Sequence, residues 1–234
     1  SPQCPDIPIG EHCNSPYGCP VTACWEALPE NNIFCLYRGG KKRFDLFNQG
    51  ILNIRDIPET YKLSQTQNIQ KQCDISGKPY NDREQIKRFL STLQQPLHYL
   101  DFETINPALP LFDGTRPFQK IPFQFSMHIR DGNKPVEHVS FLAEGRDDPR
   151  PRFLERLRSE VQPTGSIVIY NQVFERDVLR DLAKSFPDYT EWVEQTCERM
   201  VDLWKPFQYF HYYNPEQKGS ASIKNVLPAL ANEF

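Results

Sequence analysis

Residues 97–104 have the sequence Leu-His-Tyr-Leu-Asp-Phe-Glu-Thr, and this stretch decides the fold. Because side chains alternate along a β-strand, we expect Asp101 and Glu103 on one face and Leu100 and Phe102 on the other. Two carboxylates this close repel each other unless one takes a proton or a cation lies between them. Mg²⁺ and Mn²⁺ prefer oxygen ligands of this kind. The stretch predicts a strand with a candidate metal site, and a strand edge with two solvated acids is the alternative.

A second motif begins with the apolar run at 167–170, which predicts another strand. Asn171 is the expected N-cap of the helix that follows. Apolar residues then recur at helical spacing, at Phe174, Val178, Leu179, Leu182 and Phe186. Glu175 lies on the inward edge of this stripe and can lean toward the acidic strand, whereas Asp177 and Asp181 are expected to be solvated. The alternative for Glu175 is an ordinary acid that the helix dipole favours.

Together these segments resemble the DEDD exonucleases, the DnaQ-like branch of the ribonuclease H fold. The D-x-E of the first strand is similar to that family's first motif. The N-x-x-F-(D/E) segment resembles its second motif, with Glu175 where the family usually has Asp. The resemblance implies that Asp101, Glu103 and Glu175 are catalytic residues that hold Mg²⁺ or Mn²⁺ for 3′–5′ exonuclease-like hydrolysis of phosphodiesters. The family's third motif, which supplies the general base, is missing up to Phe234, so we expect weak or no cleavage by these residues alone.

The whole chain is also similar to a bacterial family called domain of unknown function 2779. The shared features are the N-terminal cysteine motif, the acidic strand, residues 117–128 and residues 222–230. In that family this region lies behind a RecB-like nuclease domain. The resemblance therefore implies nucleic acid as a ligand, DNA rather than RNA, and a RecB-like nuclease domain in the same parent chain. Two alternatives stay open: a catalytically incomplete nucleic-acid-binding module that serves that nuclease, and a structural scaffold.

The cysteines near the start of the chain are the other chemical signal. Cys4, Cys13, Cys19 and Cys24 lie in a segment too polar to fold on its own apolar core, which predicts a metal site. Disulfides and free thiols are the alternatives. The part from Cys13 to Cys24 resembles the C-terminal cysteines of iron–sulfur RecB-like nucleases, which implies a 4Fe–4S cluster or Zn²⁺. In that arrangement Cys4 is not a ligand, the fourth ligand lies outside this chain, and His12 is a substitute in a zinc-bound fragment. The remaining cysteines are isolated and are expected in the core or on the surface: Cys35, Cys73 and Cys197.

Composition limits the classes of partner. The net charge is −3 over 234 residues, so the chain has no globally basic surface, and a polyanion would need local patches. Residues 41–43 and 150–158 are the candidate patches. No apolar run reaches the ~20 residues of a membrane span and no signal peptide is visible, which predicts a cytoplasmic protein without a membrane partner. Both methionines, Met127 and Met200, are internal, so we expect a piece of a longer protein.

The pattern of elements predicts an α/β fold with three parts. Residues 1–30 form a Cys-rich metal-binding segment, 31–95 a helical, helix-hairpin-helix-like linker, and 96–234 a DEDD exonuclease-like domain truncated at its C-terminus. Strands in a row followed by βα alternation predict a mixed sheet flanked by helices, similar to ribonuclease H. We expect the Asp101 strand at the centre of the sheet. The predicted elements are strands at 97–103, 121–129, 136–142 and 166–170, and helices at 149–161, 172–186, 188–204 and 220–230. His98 and His128 are expected to be structural, His128 as a core imidazole.

Overall fold

The structure is a computed structural model that describes residues 7–231. Cys4 therefore lies outside the described residues. The chain divides into two compact units. One holds the described residues up to Arg83 together with those from Pro206 onward, and the other spans Glu84–Lys205. The three-part division predicted from the sequence stays a prediction.

Helices and strands alternate through most of the chain. The helices are α1 Ala23–Glu26, α2 Lys42–Asn48, α3 Gln65–Ser76, α4 Arg83–Ser91, α5 Arg150–Glu160, α6 Val173–Ser185, α7 Thr190–Glu198, α8 Lys205–Gln208 and α9 Ile223–Ala231. The strands are β1 Tyr80–Asn81, β2 Leu97–Ile105, β3 Ile121–Arg130, β4 Glu137–Leu142, β5 Ser166–Ile169, β6 Met200–Asp202 and β7 Tyr212–Tyr213.

A five-stranded sheet with the order β4-β3-β2-β5-β6 forms the frame of the second unit. β2, which carries Asp101, lies at its centre, as the sequence predicts. It pairs antiparallel with β3 and parallel with β5, and β5 pairs parallel with β6. The hairpin between β3 and β4 turns at Gly132, which has a φ of +58°. The coarse prediction of an α/β fold with a mixed sheet and flanking helices is confirmed.

One face of this sheet is covered by helices. Leu100 and Phe102 of β2 are buried there, and the ring of Phe102 meets that of Phe153 of α5 edge to face with centroids 5.1 Å apart. Burying an aromatic or leucine side chain of this kind stabilises the fold by about 1.5–3 kcal/mol. Residues of α5, α6 and α7 complete the cluster, among them Leu154, Leu157, Val178, Leu179, Leu182 and Val193. Buried and exposed residues alternate along β2 from His98 to Glu103, so its other face carries Tyr99, Asp101 and Glu103.

A glycine permits the close approach of β5 to β2. Gly165 adopts a φ of +86°, and a Cβ there would collide with the carbonyl oxygen of Pro96. The next residue, Ser166, donates its N–H to the carbonyl of Gln94 at 2.8 Å, which begins the parallel pairing. A side chain at position 165 would separate these two segments.

Two local predictions are wrong. The helix predicted over 188–204 ends at Glu198, and β6 follows because Met200 and Asp202 pair with Ile167 and Ile169 of β5. A three-residue strand has too little pattern of its own to be recognised, and its partner decides it. Asn171 is not the N-cap of α6. It takes a φ of +68°, which Asn tolerates better than most residues, and Gln172 occupies the cap position.

The first unit has its own apolar clusters. Ile33, Leu36 and Leu46 are buried in one of them. The rings of Phe210 and Tyr213 stack with centroids 4.3 Å apart. Within residues 7–231, every helix is too short or too polar to cross a bilayer.

Candidate functional site

The carboxyl ends of the parallel strands meet at one edge of the five-stranded sheet, where open α/β sheets bind ligands. β2 brings Asp101 and Glu103 to this edge. Both side chains are exposed, whereas Phe102 between them is 3% exposed. The alternation predicted from the sequence is therefore present. It separates the two carboxylates from the apolar core on the opposite face.

Glu175 enters the same region from the first turn of α6. Glu175 is only 4% exposed, and its Oε2 atom has no hydrogen-bond partner. The pKa of Glu175 is raised from 4.5 to about 7, chiefly by burial and also by the negative charges of Asp101 and Asp202. A hydrogen bond from its own backbone and the charge of Lys120 oppose this shift. Glu175 is thus a buried acid with one carboxylate oxygen that has no hydrogen-bond partner.

The pKa of Asp101 is also raised by burial and by a neighbouring carboxylate. Although more than a third of the residue is exposed, enough protein surrounds its carboxylate to raise the pKa of Asp101, and the charge of Glu103 raises it further. Asp101 therefore interacts with both other predicted site residues, Glu103 and Glu175. Their catalytic and metal-binding roles stay predictions.

Asp202 is a fourth acid at this edge and has a different task. It ends β6, is 5% exposed, and its Oδ1 accepts hydrogen bonds from the backbone N–H groups of Asn171 at 2.9 Å and Trp204 at 3.0 Å. These contacts tie the segment after β5 to the segment after β6. Asp202 is not among the predicted site residues, and its two backbone contacts explain its burial without a metal.

The exposed face of the sheet also carries two histidines that sequence reasoning missed as a pair. The imidazoles of His128 on β3 and His138 on β4 stack with centroids 4.4 Å apart. Nε2 of His138 and the hydroxyl of Ser126 share a hydrogen bond of 3.0 Å, and Ser126 lies directly opposite Asp101. The expectation of a core imidazole at His128 is wrong, because the residue is exposed. Even spacing along β3 would have placed His128 and Ser126 on one face.

His98 has the structural role that we expect. It is fully buried, its Nδ1 lies 3.3 Å from the carbonyl of Ser166, and its Nε2 accepts the N–H of Gln162 at 3.3 Å. Burial lowers the pKa of His98, so the ring is held neutral between these two backbone groups.

The cysteines give a mixed result. Cys13 is a buried free thiol, Cys19 is an exposed one, and Cys24 is disulfide-bonded. Within residues 7–231, no group of three or more His, Cys, Asp or Glu side chains is arranged to hold a metal ion. Metal ligation by the cysteines stays a prediction. Two of the isolated cysteines, Cys73 and Cys197, are buried as expected.

Comparison with known proteins places the chain in a family. The family described as "Domain of unknown function (DUF2779)" matches residues 98–222, more than half of the chain. The chain belongs to this family. The match contains Asp101, Glu103 and Glu175, whereas the cysteine segment lies outside it.

The relatives of this DUF2779 chain carry no functional name. "Uncharacterized protein UU173" of Ureaplasma parvum is 28% identical over 207 residues, which cover 82% of this chain and 29% of that protein. "Uncharacterized protein MG366 homolog" of Mycoplasma pneumoniae is 26% identical over 175 residues, 66% of this chain and 26% of that protein. The chain thus spans less than a third of each of these relatives. No solved structure matches it.

Proposed function

We propose that this chain is the DEDD-type, ribonuclease H-like part of a metal-dependent nuclease, with Asp101, Glu103 and Glu175 as the metal ligands. The single observation that carries the proposal is the buried carboxylate of Glu175, whose Oε2 has no hydrogen-bond partner and whose pKa is raised in part by the charge of Asp101. A buried carboxylate oxygen without a partner costs stability, and a cation is the partner that this chemistry fits. Three carboxylates of this kind match the oxygen ligands that Mg²⁺ and Mn²⁺ prefer.

The three carboxylates would bind the cation from different sides. Glu175 and Asp101 would hold the cation between the first turn of α6 and the centre of the sheet, and Glu103 would close the site from the exposed side. A bound Mg²⁺ or Mn²⁺ would lower the pKa of a water and stabilise the leaving oxygen of a phosphodiester. On the same face, the imidazole of His138, which shares a hydrogen bond with the hydroxyl of Ser126, would accept the released proton. The apolar face below excludes water from the other side of β2.

The three acids do not yet stand in a ligating arrangement within the described residues. Mutual repulsion keeps carboxylates apart until a cation neutralises them. The proposal therefore requires Asp101 and Glu103 to turn toward Glu175 when the cation binds. Both are exposed strand side chains, so rotation about their own bonds is open to them.

The decisive experiment is a calorimetric titration with Mn²⁺. We expect the wild-type chain to bind Mn²⁺, and both Asp101→Asn and Glu175→Gln to weaken binding more than tenfold. Glu155→Gln is the matched control, because Glu155 is an exposed acid of α5, on the helix that packs against the opposite face of the sheet. Equal binding by the wild type and Asp101→Asn would refute the proposal.

A cleavage assay separates the nuclease from its alternative. With Mn²⁺, we expect weak cleavage of single-stranded DNA by this chain, abolished by Asp101→Ala. The alternative is a binding module that presents nucleic acid to a RecB-like nuclease domain of the parent protein. The lack of a ready ligand triad among the described residues favours it. Oligonucleotide binding without any Mn²⁺ binding would select the module.

A further inference from the structure

A groove of about 420 Å³ runs along α6 beside the candidate metal site. One wall is the outer side of α6, and the other is the segment that leads into β3. Residues from both walls line it, chiefly Arg116, Phe118, Lys120, Arg180, Asp181 and Lys184. The groove reaches the acids through Lys120, whose charge acts on the carboxylate of Glu175 and whose Nζ lies 4.5 Å from the ring centroid of Phe174.

The wall before β3 is held in place by hydrogen bonds and an ion pair. Gln119 is 5% exposed and donates its Nε2 to Asp181 at 3.0 Å, while its Oε1 accepts the N–H of Arg116 at 3.0 Å. The guanidinium of Arg116 also donates to Asp181 at 2.9 Å. Asp181 is thus the anchor that fixes this segment to α6, so the groove is formed before any ligand binds.

Positive charge in the groove is only partly neutralised. Four cationic side chains face two carboxylates, those of Asp177 and Asp181. Arg180 is also paired with Glu194, at 3.1 and 2.9 Å, and Arg116 with Asp181. Lys120 makes no ion pair within residues 7–231, and Lys184 reaches Asp181 only at 3.7 Å. These two lysines are therefore available to anionic groups of a ligand.

Phe118 is the feature that points to a base. Phe118 is 67% exposed. Its backbone has a φ of +57°, a conformation that bulky residues rarely adopt. The N–H of Phe118 donates to the carbonyl of Pro107 at 2.9 Å, which holds this conformation. Packing does not explain why a strained backbone would expose a large ring to solvent. Backbone strain of this kind is common at functional residues. Exposed aromatic rings beside basic grooves stack on unpaired bases.

We propose that this groove binds a single strand of nucleic acid, with phosphates at Lys120 and Lys184 and a base stacked on Phe118. The proposal rests on the proposed function, since it takes the nuclease's class of substrate as its ligand. It adds the direction in which the strand leaves the acids, along α6 toward its C-terminal end. A paired base cannot offer its face to Phe118, so the groove distinguishes single strands from duplexes.

The test is a fluorescence anisotropy titration of a labelled oligothymidylate with the whole chain, without added divalent cation. We expect Phe118→Leu to weaken binding roughly tenfold and Phe118→Trp to retain it, because Trp preserves a stacking ring. The double variant Lys120→Gln/Lys184→Gln should reduce the slope of log affinity against log salt by about 1.4, at about 0.7 for each lost phosphate contact. An oligouridylate and a DNA duplex complete the set. We expect the oligouridylate to bind through the same residues and the duplex to bind more weakly.

Lys134→Gln is the matched control. Lys134 is an exposed lysine beyond the far end of β3, whose ten residues separate it from Lys120 by roughly 30 Å. We expect no change in this variant. The proposal is overturned if Lys134→Gln weakens binding as much as the double variant, if Phe118→Leu binds like wild type, or if the duplex binds as tightly as the single strand.

The outcome is separable from that of the nuclease proposal. Glu155→Gln should bind the oligothymidylate as the wild type does, because the groove does not include Glu155. Oligothymidylate binding of unaltered affinity in the groove variants of a chain that binds Mn²⁺ would overturn the groove alone. Groove-dependent binding in a chain that takes up no Mn²⁺ would support the groove and overturn the nuclease.

Discussion

Two carboxylates of the same helix have opposite surroundings. Asp181, in the second half of α6, accepts hydrogen bonds from Arg116 and Gln119 and lies near Lys184. Glu175, in the first turn, is more deeply buried, and its Oε2 has no partner. Side chains of other elements thus hold the carboxylate of Asp181, whereas Oε2 of Glu175 is left without a partner. A buried acid with an unpartnered oxygen lowers the stability of the folded protein, and acids of this kind are usually found at functional sites.

The first prediction removes the charge of the unpaired acid. Glu175→Gln should raise the free energy of unfolding at pH 8 by up to about 3 kcal/mol, because a pKa raised from 4.5 to about 7 means that ionisation opposes folding. Urea unfolding followed by circular dichroism measures this. Glu155→Gln, at an exposed position, should stay within about 0.5 kcal/mol of wild type. A clear loss of stability in Glu175→Gln would show that the carboxylate has a partner after all.

The second prediction concerns the pH dependence of the difference in unfolding free energy between Glu175→Gln and the wild type. The folded pKa of Glu175 lies above the unfolded value, so the folded state binds more protons between pH 4.5 and about 7. The stability advantage of Glu175→Gln should therefore be absent below pH 4.5, grow through this window and level off above it. Unfolding curves at several pH values test the shape. An advantage that is constant with pH would assign the effect to packing instead.

The third prediction adds the proposed ligand. At pH 7.5, Mn²⁺ at a hundred times its dissociation constant should stabilise the wild type by about 2.7 kcal/mol, because it binds only the folded chain. Thermal unfolding against Mn²⁺ concentration measures the shift. Glu175→Gln should show at most about half of this shift, because its binding is more than tenfold weaker, whereas Asp181→Asn should respond as wild type does. Equal shifts in all three proteins would place the cation elsewhere.

The fourth prediction removes the carboxylate of Asp181, which has hydrogen-bond partners. Asp181→Ala should lower the free energy of unfolding by about 1–2 kcal/mol, because the buried amide of Gln119 and the guanidinium of Arg116 lose their acceptor. Asp177→Ala, at an exposed position on the same helix, is the control and should cost less than about 0.5 kcal/mol. If both variants unfold alike, Asp181 does not anchor the segment before β3.

The smallest effect is expected at Lys184. Its side chain is 77% exposed and 3.7 Å from Asp181, so Lys184→Ala should change the free energy of unfolding by less than about 0.5 kcal/mol. A larger loss in urea unfolding would mean that Lys184 helps to hold Asp181 in place.

The fold was predictable where the pattern is strong. The alternation at 97–104 predicts both faces of β2, and the apolar stripe that includes Val178 and Leu182 predicts the inward position of Glu175. β6 was not predictable, because three residues carry no periodicity and the strand exists through its pairing with β5. Within the candidate basic patch at 150–158, the burial of Arg150 was not predictable either: it is 3% exposed and paired with Asp148.

The sequence by itself determined which residue types could form a site and on which side of each element they lie, because strand and helix periods are local properties. Only the tertiary structure decided their surroundings. The raised pKa of Glu175 follows from burial and from the charges of Asp101 and Asp202, which are far away in the chain. The groove likewise joins Lys120 to Lys184 across β3, β4, α5 and β5. Charge and desolvation act through space, so they become fixed only when the chain has folded.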